Sequence, residues 1–600
     1  MSIAELANID VSSVSKTPEG LNQAPASIFV ITHDDIVRSG AQSMPDILRL
    51  APNLQVYQTS ASQFVVTARG FNGSAAAQNF SNKLLVLIDG RTVYSPLYSG
   101  VYWDVQDVPP NDIDRIEVIS GPGATLWGAN AVNGVINIVT RDAGQTQGGD
   151  LNAYAGNQGG GASLRYGGKV GEALTYRVYA MAMNSANTRT LAGAKLEDGW
   201  SKPQLGFRVD WAGDAADKIT VQGDGYNGVE DPGSGFITGA NLLGRWTRDL
   251  GRGSTLQIQT YYDHTRRGSS SGGYFDLNTY DLDVQHNFTW RGNSIVWGAG
   301  LRSSRYDIVG KGGLTFAPAS RTLQLGNLFA QDTLSLPLNV KFTAGLKLES
   351  DPYIGVTPLP DVRLTWTPSS TVMLWTATSY AVRAPTPFDR DVVEKVGPTV
   401  FLTGASSFEP EKLAAYEFGG RFEQSSRLSV SVSAYYNVYE DLRSIEPKRG
   451  GFLPLAWGNG MRGKVWGLES WADFQAASWW RLSASITVMR ETFTFEPGAS
   501  GLLGAVQAGD DPHHLASLKS SMNLGRDVTL DADLRYVDAL PNPAVPAYVE
   551  LGGRIAWNVT EKIQLSLAGQ NLLHDRHQEY PAPGASAAPR QVYAGLHLKF

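Results

Sequence analysis

The chain of 600 residues has no cysteine, which excludes thiolate metal centres and a disulfide framework. That absence suits a compartment in which a stray thiol would be oxidised. No apolar run approaches the ~18–20 residues of a membrane-spanning helix, so helical membrane proteins are excluded as a class. Charge is sparse at 18% of residues, and the formal net charge of −7 makes no general case for nucleic-acid binding. The 8 histidines are scattered and form no nucleophile–base pair with their sequence neighbours. The glycine-rich Gly121-Pro122-Gly123-Ala124 lacks the lysine of a phosphate-binding loop, so no catalytic site is expected. Only 8 methionines are present, which weighs against copper as a cargo. The start, Met1-Ser2-Ile3-Ala4-Glu5, has neither a basic n-region nor an apolar h-region. For an exported protein the expectation is a mature form carrying an added start methionine.

What is abundant is glycine, at 65 residues, and aromatic side chains, with 15 Trp, 24 Tyr and 21 Phe. Such a composition suits many short strands joined by turns, with rings at water–lipid interfaces. The length exceeds one ordinary soluble core, so at least two domains or one very large barrel are expected.

Residues 20–142 read as a mixed α/β domain. Ala26–Ile31 is a short apolar strand, and Thr32 with Asp35 makes a capping-box-like helix start. Ser43-Met44-Pro45-Asp46 opens a second helix. Strands are expected at Phe64–Ala68, Leu84–Ile88, Ile116–Ile119 and Val135–Val139. From 149 to 600 the pattern is strict alternation. Val592, Ala594, Leu596, Leu598 and Phe600 share one face of the last strand, while Gln591, Tyr593, Gly595, His597 and Lys599 share the other. Short polar turns, as at Arg291–Asn293, alternate with long connections such as Ala381–Lys412 and Asn571–Arg590. This describes an all-β membrane barrel of about 22 antiparallel strands, preceded by a domain that could fold alone. A soluble sandwich array or propeller would turn a polar face outward and show a blade-length repeat.

The N-terminal domain carries Ala68-Arg69-Gly70-Phe71, Val86-Leu87-Ile88-Asp89-Gly90-Arg91, Asp114–Pro122 and the run Gly123–Ile138. In these stretches it resembles the plug of the TonB-dependent receptor family, which implies that an N-terminal mixed α/β plug domain sits inside the barrel lumen. Echoes follow in the barrel at Tyr416-Glu417-Phe418-Gly419, Gly467-Leu468-Glu469 and Asn571-Leu572-Leu573. The resemblance implies an outer-membrane importer of a Gram-negative bacterium, energised by the periplasmic protein TonB. TonB would grasp an N-terminal segment by strand addition; Ile9, Asp10, Val11, Ser12 and Ser13, in a flexible tail spanning residues 1–19, hold that place. It also implies a plug–barrel charge cluster of Arg69 with Glu417 and Glu469. Many members carry a second arginine where Ser120 stands, and Arg115 or Arg91 could substitute for it.

The family's ligands land on plug apices and inner loop faces. Candidate contacts are Asn79 and Phe80 on one apex, and Tyr94, Tyr98, Tyr102 and Trp103 on an aromatic one. On the barrel they are Arg266 with Tyr274, and His513 in the run Asp510-Asp511-Pro512-His513-His514. Rings such as these either hold a bulky amphipathic ligand or pack the plug against the wall. No intrinsic cofactor or protein-bound metal is expected; a metal chelate would enter as cargo, most plausibly a ferric siderophore, with cobalamin or heme as alternatives. A passive porin is the competing class, disfavoured because a plug of this size would fill the lumen. The remaining expected partners are outer-membrane lipid and lipopolysaccharide, around a monomer.

Overall fold

The computed structural model describes residues 5, 9–72, 81–231, 235–269, 272–311, 313–448, 451–542, 544–581 and 586–600. The N-terminal domain is built on a five-stranded sheet. Its order is Ser27–Thr32, Ile113–Ser120, Gly134–Thr140, Leu84–Ile88 and Arg91–Thr92. Only the pairing of Gly134–Thr140 with Leu84–Ile88 is parallel. Leu84–Ile88 is buried at every position, as its uninterrupted apolar run requires of a strand covered on both faces. Thr32 and Asp35 close a reciprocal capping box on the helix His33–Ser39, which ends at Gly40 in the left-handed conformation (φ 69°). Ser43 caps the helix Met44–Leu48. Ile28, Ile36, Leu48, Val86, Ile116 and Ile136 share one core.

The remainder is a closed barrel whose wall contains 22 antiparallel strands. It closes where Gly148–Gly156 pairs with Gln591–Lys599, with Leu151 opposite Leu598. Alternation sorts side chains between lipid and lumen. In the last strand Val592 and Leu596 are exposed, whereas Tyr593 is buried and donates its hydroxyl to Gly40 O of the plug. In Leu428–Pro447 the serines at 431 and 433, with Tyr435 and Asn437, turn inward. An exposed aliphatic and aromatic face on strand after strand is what hydrocarbon contact requires.

Two expectations need correction. The long connections are not irregular throughout. Strands run well past the ~9–11 residues that cross a bilayer, as in Leu455–Ala477, and Leu314–Phe316, Val392–Val396 and Thr399–Thr403 pair within the connecting segments themselves. Outside the bilayer the backbone still needs partners, and neighbouring extensions supply them.

The flexible tail expected over residues 1–19 is, from residue 9 onward, part of the plug. Asp10–Val11 pairs with Glu19–Gly20, and Val11 and Val14 enter the plug core. The reason is a buried carboxylate. Glu117, fully buried, accepts from the backbone N–H groups of Ser12 (3.2 Å) and Ser13 (2.9 Å) and from the Ser13 hydroxyl. Without that segment it would lose three of its donors.

Candidate functional site

Four groups of contacts hold the plug and shape the space beside it. The first is centred on Arg69, whose backbone lies in the left-handed region (φ 52°) and whose side chain is almost wholly buried. Its Nη1 lies 2.7 Å from Glu417 Oε1 and its Nε 3.1 Å from Glu469 Oε1. The guanidinium also stacks on Tyr435, 4.0 Å from the ring centre. Glu417 faces inward because it falls between Tyr416 and Phe418, both more than half exposed on the lipid side. Ser27 Oγ adds a bond of 2.6 Å to Glu469. Gly121, also left-handed (φ 102°), runs so close that a Cβ there would stand 2.5 Å from Glu417 Oε1. Ser120 does not reach the cluster; it accepts from Asn53 at 2.8 Å. Arg115 stands apart, paired with Asp114 and Glu117, and Arg91 pairs with Asp263 on the wall. Of the alternatives open for the Ser120 position, that Arg115 or Arg91 substitutes or that nothing does, the described contacts show the last, and one arginine serves two glutamates.

The second group is the run Asp510-Asp511-Pro512-His513-His514. It meets the plug through one carboxylate and one carbonyl: Phe71 N–H donates to Asp511 Oδ2 at 2.7 Å, and the Asn72 side chain donates to the backbone O of Asp510, whose own carboxylate accepts from Asn542 N–H at 2.9 Å. Burial pushes the Asp510 carboxyl up to about 6 and raises Asp511 as well. His513 does not join a ligand set; its ring lies edge-on to His514, which pairs with Asp538 at 2.6 Å. A different trio, Glu550, His577 and Glu579, comes together elsewhere, but two arginines already claim its oxygens. Arg49 is bidentate on Glu579 at 2.8 Å, and Arg535 bonds Glu550.

The third group is aromatic. Tyr94, Tyr98 and Trp103 are buried. Tyr94 donates to Asn82 O at 2.8 Å, and Tyr98 packs on Tyr102 at 4.8 Å. Tyr102 stacks on Phe275 of the wall and carries Arg267 at 4.0 Å over its ring. Arg267 also bonds Asp104 at 2.6 Å. Arg266 and Tyr274 contact one another on the opposite side of the strand pair, and their neighbours Arg267 and Phe275 meet the plug. A period of two makes adjacent residues diverge, so the pair one position along faces the lumen. Asn79 and Phe80 lie outside the described residues.

The fourth group was missed by sequence reasoning. Arg383, Asp389, Glu411, Lys83 and Arg443 form a buried five-charge network. It ties the plug to the segment containing the helical turn Pro387–Arg390. Arg383 Nη1 lies 2.7 Å from Asp389 Oδ2 and its Nε bonds Glu411. Lys83 Nζ lies 3.0 Å from Glu411 Oε2, and Arg443 Nη1 3.0 Å from Asp389 Oδ1. Burial pushes the Lys83 ammonium down to about 8, opposed by Glu411. Its members come from four separated stretches of chain, and no local motif announces them.

Between the aromatic plug segment and the wall lies a chamber with about 140 Å³ of room for the centres of water molecules. Tyr94 and Tyr102 line it from the plug; Asp224, Asp263, Arg302 and Asp351 line it from the wall.

Comparison with known proteins agrees with this architecture. The family profile for the TonB-dependent receptor plug domain matches residues 21–135, and that for the TonB-dependent receptor-like β-barrel matches residues 127–572. Relatives include the vitamin B12 transporter BtuB of Vibrio vulnificus, 33% identical over 24% of this chain and 23% of that protein. The ferric enterobactin receptor of Pseudomonas aeruginosa is 27% identical over 56% of this chain and 47% of its own length. These two matches thus span less than half of the relatives they join. The iron-regulated outer membrane virulence protein of Vibrio cholerae is 23% identical over 97% of this chain and 93% of that one. Among solved structures, the FrpB iron transporter of Neisseria meningitidis superposes with a TM-score of 0.79. Its identity is 14%, over 96% of this chain and all of that one. The ferric enterobactin receptor PfeA of Pseudomonas aeruginosa gives 0.77 at 16% identity, over 96% and 98%.

Proposed function

The chain belongs to the TonB-dependent receptor family, and from that premise we propose that it imports a ferric siderophore across the outer membrane, driven by TonB. The observation that carries this reading is a folded plug seated within a closed barrel and pinned through Arg69 to Glu417 and Glu469. A lumen filled this way does not pass solutes by free diffusion; import requires that the plug be displaced or remodelled. Buried ion pairs suit that requirement, because they orient the plug without adding much net stability. The Ile9–Ser13 segment is the proposed handle for TonB. Its Asp10–Val11 stretch already pairs as a strand with Glu19–Gly20, and strand addition makes little demand on side chains. Iron as the cargo metal is favoured by full-length relatives and structural neighbours named for iron.

One observation favours a second reading. The 33% match over 152 residues is to a vitamin B12 transporter, so cobalamin belongs in any test. In a strain producing this protein as its only such importer, labelled ferric siderophores and cobalamin would be offered with and without TonB. Accumulation of an iron chelate only when TonB is present is the expected result. Accumulation that persists without TonB would contradict the gated mechanism, and accumulation of cobalamin alone would transfer the cargo assignment.

A further inference from the structure

The chamber beside the plug carries an electrostatic signature that narrows the cargo, and the inference rests on the import reading above. We propose that this chamber is a transit subsite that accepts a neutral or cationic iron chelate and disfavours a polyanionic one.

Its position is that of a route past the plug. The chamber reaches outward to Asp351, Tyr353 and Thr386, at the outer ends of wall strands and the segment that covers the plug. Inward it reaches Ile88 and Arg91, at the far end of the plug strand that begins beside Lys83 and Glu411. There Arg245, six positions before the short turn at Gly251, donates to Asp89 O. The chamber therefore runs from the outer segment down to the edge of the plug sheet at Ile88, Arg91 and Thr92.

Its charges are unequally committed. Of the two arginines lining it, Arg91 is bonded to Asp263, and Arg302 Nε lies 2.8 Å from Asp281 Oδ2. Asp107 is likewise paired, with Lys202 Nζ at 3.0 Å, and His264 leans on Asp276 at 3.6 Å. Asp224 and Asp351 have no described cationic nitrogen within 4.0 Å; Asp351 accepts from backbone N–H groups, that of Tyr353 at 2.8 Å and that of Ile354. What the chamber offers a visitor is thus two uncommitted carboxylates, with neutral donors such as Gln106 and Asn241. No described cation lining it is free.

Chelate chemistry converts this into selectivity. Iron(III) bound by three catecholate dianions carries a net charge of minus three, whereas three hydroxamate monoanions leave it neutral and a pendant ammonium makes it a cation. In a lumen of reduced dielectric, a trianion is repelled by unpaired carboxylates far more strongly than in water. A neutral complex crosses without that penalty, and a cation is drawn in.

The test is uptake of labelled cargo, radio-iron for the chelates and radio-cobalt for cobalamin, through the full-length protein as sole importer, with and without TonB. The panel is a neutral tris-hydroxamate, its mono-ammonium derivative, a tris-catecholate and neutral cobalamin. Neutral and cationic chelates should enter in a TonB-dependent way, with the catecholate at least about tenfold slower, as expected where like charges meet. The double replacement Asp224→Asn with Asp351→Asn, in barrels shown intact by heat-modifiable mobility, should narrow that ratio and slow the cation. A catecholate that matches the neutral chelate, or a ratio unmoved by the double replacement, would overturn the charge rule while leaving iron import standing. Uptake of cobalamin without any iron chelate would remove the iron reading and keep the charge rule. Entry of no panel member would overturn both.

Discussion

At the scale of single residues, Arg69 is the contact on which the plug's seating most depends. Replacing it with methionine would leave Glu417 and Glu469 buried without their cation, a loss of about 3–5 kcal/mol for a broken buried pair. The expected result is a lower melting temperature and faster proteolysis of the plug. Adding Glu417→Gln and Glu469→Gln to that variant should restore most of the loss; a triple variant no better than the single one would show that the charges are solvated independently. The Asp510–Asp511 dock gives a second residue-scale expectation. Burial holds both carboxyls above their unfolded values, so each contributes stability that is fully present below about pH 4 and lost as pH rises through the folded value. For Asp510 that loss is centred near 6. The protection factor of the Asn542 amide, which donates to Asp510 Oδ2 at 2.9 Å, should therefore rise on acidification from pH 7 to 5, and Asp510→Asn should flatten the dependence. A protection factor that falls over that interval would reverse the assigned sign.

At the scale of elements, the N-terminal segment and the segment after Arg383 are the pieces held by few, specific contacts. Ser12 and Ser13 are fastened to Glu117, and Trp127 Nε1 donates to Ser13 O at 2.9 Å. Glu117→Gln weakens that hold by exchanging a carboxylate for an amide in charge-assisted bonds. A spin label at residue 10 should then become more mobile, and a TonB fragment should bind at least several-fold more tightly, because less of the segment must be pulled free. Unchanged mobility and affinity would mean that the segment's strand pairing, not Glu117, retains it. The segment after Arg383 is held differently. Asn130 N–H donates to Val382 O, Phe388 N–H to Leu97 O, and the Arg383 network fills the space between. Alternation made the strands on either side legible, but a stretch with its own short strands outside the bilayer has no period-two contrast of lipid and lumen to reveal it.

At the scale of the whole molecule, the barrel without its plug is expected to be an open pore. Deleting residues 20–142 should give stable ion conductance in planar bilayers, whereas the intact protein should be nearly closed, since the deleted domain occupies the lumen. Equal conductance in the two would mean that the plug does not seal the channel.

Much of this organisation was written locally. The strand alternation, the Thr32–Asp35 cap, the apolar Leu84–Ile88 run and the plug motifs each report on a residue's immediate neighbours along the chain. Periodicity and capping are short-range physics, and they determined the barrel and the mixed α/β domain ahead of it; that domain's place in the lumen was implied by the motifs it shares with the receptor family. Alternation also determined that Glu417 looks inward. What only the tertiary structure decided were matters of partnership. It chose Arg267 over Arg266 because registry, not composition, selects which of two adjacent arginines faces the lumen. It set Asp511 against the plug backbone, buried most of the aromatic apex, and folded the N-terminal segment onto Glu117. It assembled Lys83, Arg383, Asp389, Glu411 and Arg443 from distant stretches, and left Asp224 and Asp351 unpaired in the chamber. A charge's worth depends on what it meets after folding, and a linear sequence records the charge without its partner.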